Sequence, residues 1–151
     1  MRSLEELNLS NVKARPNENE LRELEKSLGF CLPADYREFL QGANGGCPEV
    51  DTFEDESGEE WAINNFFFVG PDINSTESVV WNHLNRSPVI KPDFLPIARD
   101  GGGNVFLLNT GSTQSGEVWI WVHDEPENPL RKVSDQFEEF IDRLYLNPDY
   151  I

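Results

Sequence analysis

The clearest structural signal in this chain is the stretch Gly29-Phe30-Cys31-Leu32-Pro33-Ala34-Asp35-Tyr36-Arg37-Glu38-Phe39-Leu40, which runs on to Asn44-Gly45-Gly46. Gly29 suits the left-handed residue that ends a helix, because it has no Cβ to clash. Pro33 suits the first turn of a second helix, where its missing N–H is not needed. The stretch therefore predicts two helices joined by a short corner, with a tight glycine stop after the second.

The residues on either side support this prediction. Asn17 is a good N-cap, and Glu20 stands three residues later in the capping-box position. Apolar residues then recur with helical spacing and predict one buried face on each helix: Leu21, Leu24 and Leu28 on the first, and Tyr36, Phe39, Leu40 and Ala43 on the second.

The rest of the chain predicts a sheet and one more helix. We expect strands at 61–69, 94–98, 105–109 and 117–123, a short helix at 76–84, a glycine turn at 100–104 and a polar loop at 110–116. Pro96 indicates that its strand lies at a sheet edge or begins there. Ser134 is the predicted cap of a last helix that carries Phe137, Phe140, Ile141 and Leu144 and ends at Pro148. Helices, then strands, then a helix favour a single α+β domain over 1–151, with a mainly antiparallel sheet.

The charge of the chain excludes several partners. Only 12 Lys and Arg face 28 Asp and Glu, which gives a net charge of −16. A nucleic-acid binder has to neutralise phosphates with basic side chains, so we expect no nucleic-acid partner, and an anionic membrane surface is disfavoured for the same reason. A basic protein would be attracted and steered. The acidity also has a simpler interpretation, as a means of solubility alone.

Seven of the acids lie in one segment at 49–60 that contains no base, which we interpret as an acidic loop or irregular insert. An acidic, mobile segment that ends in Trp61 is typical of a partner surface, with charge for steering and an aromatic anchor. The candidate partner-binding residues are Glu54, Asp55, Glu56, Glu59, Glu60 and Trp61. The alternative is a solvated loop, with Trp61 in the core. Trp119 and Trp121, which alternate with Val118, Ile120 and Val122, are a second candidate surface if they do not pack in the core.

No pattern in the sequence indicates catalysis, a metal or a cofactor. A nucleophile elbow is absent, and the glycines at 101–103 open a strand with no lysine nearby, unlike a phosphate loop. The spacing of the acids does not fit an EF-hand when Gly58 is placed at its glycine position, which leaves only an irregular weak calcium site as an alternative. His123, beside Asp124 and Glu125, is interpreted as a surface histidine rather than a metal ligand. We therefore expect no enzyme activity and no cofactor.

Targeting signals are also absent. The chain opens without the apolar core of a signal peptide, and no apolar run approaches ~20 residues, so we expect a cytoplasmic protein that does not span a membrane. Cys31 and Cys47 have no motif spacing and are expected to stay reduced. The oligomeric state is left open.

Four sequence pieces in order resemble the SUKH superfamily, which includes many bacterial immunity proteins and a yeast cell-wall synthesis regulator. They are Glu25 with Leu28-Gly29; Leu32-Pro33-x-Asp35-Tyr36-x-x-Phe39-Leu40 with Asn44-Gly45-Gly46; Pro96-Ile97-Ala98-x-Asp100-Gly101-Gly102-Gly103-Asn104; and Phe137-x-x-Phe140-Ile141. The resemblance covers about 17–145. It implies an α+β domain with a curved, mainly antiparallel sheet.

The same resemblance implies a function in protein binding. Bacterial members commonly neutralise the effector domain of a polymorphic toxin, often a nuclease or deaminase, so the first hypothesis is a non-enzymatic immunity protein for a cognate, basic toxin domain. The motif residues are cap, turn and core positions, so no active site is implied. The alternative is an interaction module in regulation or assembly that involves no toxin; an enzyme using scattered carboxylates is the weakest hypothesis.

Overall fold

A computed structural model describes residues 1–72, 74–111 and 116–150, without the side chain of Tyr150. The helices in these ranges are α1 (Glu18–Leu28), α2 (Ala34–Gly42), α3 (Val79–Leu84) and α4 (Phe137–Asp142), with short 3₁₀ turns at Leu4–Leu7 and Pro148–Tyr150. The strands are β1 (Thr52–Glu54), β2 (Glu60–Ala62), β3 (Asn65–Phe66), β4 (Phe94–Arg99), β5 (Val105–Asn109), β6 (Val118–Trp121) and β7 (Leu130–Ser134). This arrangement confirms the predicted α+β class.

The two N-terminal helices begin and end as predicted. The Asn17 side chain accepts from the Glu20 N–H at 2.9 Å, and the Glu20 carboxylate accepts from the Asn17 N–H at 3.1 Å, so the capping box is complete. Gly29 ends α1 with φ +85°, and Pro33 is the N-cap of α2. After α2, the buried Asn44 amide donates to the carbonyls of Ala14 and Val69. Asn44 therefore ties the N-terminal segment at Ala14 to the chain beyond β3 at Val69.

The main sheet is an antiparallel meander in the order β3-β4-β5-β6-β7, and β1 pairs with β2 in a separate hairpin. The prediction that Pro96 marks a sheet edge or a strand start is wrong, because β4 lies between β3 and β5 and begins two residues earlier. Within β4, β3 pairs with Ala98 and Arg99, and the register of the β4–β5 pair shifts between Pro96 and Ala98. A proline is tolerated at such a bulge.

The predicted strand at 61–69 is divided between the two sheets. The chain changes partner at Ile63 and Asn64, whose N–H groups donate to the carbonyls of Asp51 and Arg99. The strand at 105–109 and the turn at 100–104 are confirmed, and β6 is shorter than the predicted 117–123. The central part of the predicted loop at 110–116 lies outside the described residues.

The start of α4 differs from the prediction. Ser134 is the last residue of β7, and its hydroxyl donates to the Gln136 carbonyl, so it does not cap α4. Instead, the carboxylate of Asp35 in α2 accepts from the Glu138 N–H at 2.9 Å. α4 ends at Asp142 rather than near Pro148, because Tyr145 turns to pair with Thr52.

The helices contribute to a core on one side of the main sheet, which we call the inner face. Phe106, Leu108, Val118 and Ile120 point to this side, where they join buried residues of α1, α2 and α4. Aromatic rings pack together within this core, and the ring centroid of Phe137 lies 5.1 Å from that of Tyr36 and 5.2 Å from that of Phe39.

The opposite side, the outer face, carries a smaller cluster. Buried Ile90, Phe94 and Leu107 pack there with the half-buried residues Val105, Trp119, Trp121 and Leu130. None of these residues belongs to a helix. In the described ranges, the helices therefore cover the inner face of the main sheet.

Candidate partner-binding surfaces

The residues predicted to bind a partner lie in the β1–β2 hairpin, 52–62, which we call the acidic hairpin. The predicted loop at 49–60 is thus partly strand. Glu54 pairs with Glu60, and Phe53 pairs with Trp61. Residues directly opposite in an antiparallel pair share a face. Glu54 and Glu60 therefore point to one side, and Trp61 points to the other with the buried Phe53.

Asp55 faces inward, and only 4% of its surface is exposed. One carboxylate oxygen accepts from the backbone N–H groups of Ser57 (2.8 Å) and Glu59 (3.1 Å). The other accepts from the indole Nε1–H of Trp61 at 3.0 Å. Asp55 therefore holds the turn of the hairpin together and has little surface left for a partner.

Trp61 is half-buried against the core. The guanidinium of Arg131 in β7 lies 5.7 Å from the centre of its ring. Arg131 also forms an ion pair with Glu59 and lies 3.9 Å from Asp55 and 3.7 Å from Glu125. A single arginine thus joins the hairpin to the main sheet and covers the tryptophan.

Glu60 is exposed but is bound to the C-terminal segment. Its carboxylate accepts from the Tyr145 hydroxyl at 2.7 Å and from the Asn147 amide at 2.8 Å. The hydrogen bond to Glu60 is the main cause that raises the pKa of Tyr145 to about 12. These two donors offset the repulsion between the paired carboxylates of Glu54 and Glu60.

Glu54 and Glu56 are the acids of the hairpin that point freely into solvent. Both are exposed, and neither forms an ion pair with any residue that the structure describes. The structure therefore brings the six predicted residues together in one hairpin but divides their roles. Asp55 and Trp61 are turned inward, Glu59 and Glu60 are engaged, and Glu54 and Glu56 are free.

The second predicted candidate, Trp119 with Trp121, lies on the outer face. In cross-strand pairing, Trp119 is flanked by Leu107 and Lys132, and Trp121 by Val105 and Leu130. Trp119 also stacks on Phe94, with 6.1 Å between ring centroids. Both tryptophans are half-buried. The sequence alternation placed them on one face, but their neighbour Leu130 was missed because β7 was not predicted.

Among the described residues, the polar contacts of the two histidine rings are an arginine and a backbone carbonyl. His83 Nδ1 lies 3.2 Å from an Arg86 nitrogen, and burial, followed by the Arg86 charge, lowers the pKa of His83. His123 Nε2 lies 2.7 Å from the Gly102 carbonyl oxygen. Across the part of the chain that the structure describes, no group of three His, Cys, Asp or Glu side chains is placed to hold a metal. In the same ranges, no helix has the length and apolar character to cross a membrane.

Known proteins share this fold and sequence pattern. The SPbeta prophage-derived uncharacterized protein YokK of Bacillus subtilis (strain 168) is 27% identical over an alignment of 154 positions. The alignment covers 87% of this chain and 77% of that protein. A crystal structure of a protein from Pseudomonas syringae pv. tomato has a TM-score of 0.55 at 16% identity and covers 94% of this chain and 95% of its own. At that identity, the likeness shows the fold alone.

A family match completes the comparison. The model of the SMI1 / KNR4 family (SUKH-1) matches residues 15–143, which include the helix corner, the glycine turn and α4. The match confirms the resemblance seen in the sequence motifs. The chain belongs to the SMI1 / KNR4 family (SUKH-1).

Proposed function

We propose that this protein is an immunity protein, which binds the effector domain of a cognate toxin in the cytoplasm and neutralises it without chemistry of its own. The observation that carries the proposal is the family match over residues 15–143, because bacterial members of the SUKH superfamily commonly serve as immunity proteins.

The charge of the chain supports a basic partner. The net charge is −16, and Glu54 and Glu56 present carboxylates that other residues of the hairpin do not neutralise. Complementary charge speeds association more than it strengthens the final complex. If the toxin is a nuclease, an acidic inhibitor would occupy the cleft that receives phosphates.

The roles of the remaining polar groups support binding rather than catalysis. The buried carboxylate of the hairpin, Asp55, is used by backbone N–H groups and Trp61, and the two histidines contact an arginine and a carbonyl oxygen. These contacts stabilise the fold, which fits a protein that acts by binding.

The test is titration calorimetry of the full chain against the C-terminal domain of the toxin-like protein encoded beside its gene, at low and moderate salt. We expect tight one-to-one binding that weakens as salt rises. Absence of binding would contradict the immunity function and favour a regulatory or assembly module. A pull-down from host lysate would then follow.

The role of the acidic hairpin is tested by the double variant Glu54→Gln/Glu56→Gln. We expect association at low salt to slow by about three- to tenfold, with a weaker salt dependence. The control is Glu5→Gln/Glu23→Gln, which removes the same charge from two exposed acids outside the hairpin. Asp55 is left unchanged because it supports the hairpin. Equal rates for the two double variants would show that the hairpin acids have no special role in steering.

A further inference from the structure

The outer face has an apolar surface where an antiparallel sheet that faces water normally alternates apolar and polar residues. Across β5, β6 and β7, its positions are Val105, Trp121 and Leu130 in one row, and Leu107, Trp119 and Lys132 in the next. Only Lys132 is polar. The structure places no helix among the residues that pack in this cluster. Leu107 is fully buried, so the apolar surface that stays partly exposed is made by Val105, Trp119, Trp121 and Leu130.

Acidic groups border this surface on three sides. The loop after β6 carries the exposed Asp124, Glu125 and Glu127 next to Trp121. At the other end, Glu117 accepts from the Trp119 indole at 3.4 Å. Along the β7 edge lies the acidic hairpin, whose Glu56 N–H donates to the Lys132 carbonyl.

The one basic residue in these two rows is already neutralised. Lys132 lies 3.1 Å from Glu117 and is also paired with Asp135, and these carboxylates raise the pKa of the lysine. On the fourth side, Arg99 of β4 stands opposite Val105 and is paired with Glu77 at 3.2 Å. With this arginine and Lys132 both paired to carboxylates, the border of the outer face is net negative, and its centre is apolar. An apolar centre with a polar border is the usual anatomy of a protein interface.

The charge also decides which occupant fits. A second copy of this chain would bring another −16 of charge against the same acidic border, which disfavours self-association. A domain with an apolar patch surrounded by Lys and Arg matches both the centre and the border. We propose that the outer face is the apolar centre of the interface with the cognate toxin domain, and that Trp119 and Trp121 are its anchors.

This inference rests on the proposed function and adds a contact surface to it. The acidic hairpin and the loop after β6 then form the border that guides the partner, and the two tryptophans supply the contact area. Half-buried tryptophans suit this role, because they are held in place by Phe94 and Leu130 before the partner arrives.

The first test leaves the chain intact. The protein contains four tryptophans, namely Trp61, Trp81, Trp119 and Trp121. Incorporation of fluorotryptophan gives one fluorine NMR signal for each, assigned by single Trp→Phe variants. On addition of the toxin-like C-terminal domain, we expect the signals of Trp119 and Trp121 to shift and that of Trp81, in α3, to stay unchanged. A complex that forms without shifting Trp119 or Trp121 would overturn the inference and leave the proposed function intact.

The second test measures affinity. We expect Trp121→Ala to weaken binding of the same domain by about 30-fold, the size of an interface hot spot. The matched control is Leu84→Ala, which removes an apolar side chain that is 70% exposed on α3. Circular dichroism and thermal unfolding verify that both variants are folded. A loss of affinity below about threefold for Trp121→Ala would contradict the inference. Absence of binding by the unmodified chain would overturn both the proposed function and the inference.

Discussion

The inner and outer faces of the main sheet use aromatic residues in different ways. On the inner face, Phe106 is fully buried and lies 5.3 Å from Phe53 between ring centroids. On the outer face, Trp119 and Trp121 pack against the smaller cluster and are only partly buried. The comparison separates aromatic residues that are closed within the core from aromatic residues that keep some exposed surface. Four predictions test this separation.

The largest effect is expected for Phe137→Ala on the inner face. Phe137 is fully buried between Tyr36 and Phe39, so its removal leaves a cavity that the surrounding rings fill only in part. We expect the free energy of unfolding to fall by about 4 kcal/mol. Urea unfolding followed by circular dichroism measures it. A loss below about 1.5 kcal/mol would mean that the inner face repacks easily, and the contrast with the outer face would fail.

The next effect extends the comparison to the acidic hairpin. Asp55→Ala leaves the N–H groups of Ser57, Glu59 and Trp61 without their acceptor. We expect a loss of about 3 kcal/mol in urea unfolding. The control Glu56→Gln changes an exposed carboxylate and is expected to stay within about 0.5 kcal/mol of the unmodified chain. Equal stability of the two variants would show that inward and outward acids are equivalent.

A smaller loss is expected for Trp119→Ala on the outer face. The side chain is half-buried and stacks on Phe94, so about half of the cost of a core tryptophan applies, or about 2 kcal/mol. The same urea experiment measures it. A loss as large as that of Phe137→Ala would show that the outer face is a second core rather than a partner surface.

The smallest effect is expected where the exposed Glu60 accepts a hydrogen bond from Tyr145. The hydrogen bond to Glu60 raises the pKa of Tyr145 to about 12, above the ordinary value of 10. The folded state therefore holds the proton of the Tyr145 hydroxyl more tightly than the unfolded state does. The stability that this hydrogen bond provides is present below pH 10 and is lost as the pH rises towards 12. We expect Tyr145→Phe to remove that decline, as measured by unfolding at pH 9 to 12. An unchanged decline would assign it to other groups.

The inner face could be predicted from sequence, because its signal is local and periodic. Leu21, Leu24 and Leu28 repeat with helical spacing, and Phe137, Phe140 and Ile141 do the same in α4. The capping box of Asn17 with Glu20 likewise involves neighbours in the chain. Short-range patterns of this kind predicted α1 and α2, and the buried side of α4, although α4 is shorter than predicted at both ends.

The features that the sequence did not predict depend on residues that are distant in the chain. Strand β7 was missed because its centre is Arg131-Lys132, and Arg131 is tolerated at the edge of the core only because it meets Glu59 and Asp55 from the hairpin. Asp55 points inward because it accepts from the Ser57 and Glu59 N–H groups and from the Trp61 indole. The sequence shows only that it is one acid in an acidic run. Ser134 had the right spacing for a cap, but Asp35 of α2 performs that role.

Both outer strands of the main sheet are already paired along their free sides. At one side the Phe66 N–H donates to the Gly46 carbonyl, and at the other the Lys132 carbonyl accepts from the Glu56 N–H. An exposed strand is a template for the addition of another chain, and here each is occupied by a loop or turn of the same molecule. These two contacts disfavour strand-to-strand polymerisation, and they equally disfavour a partner that binds by extending the sheet.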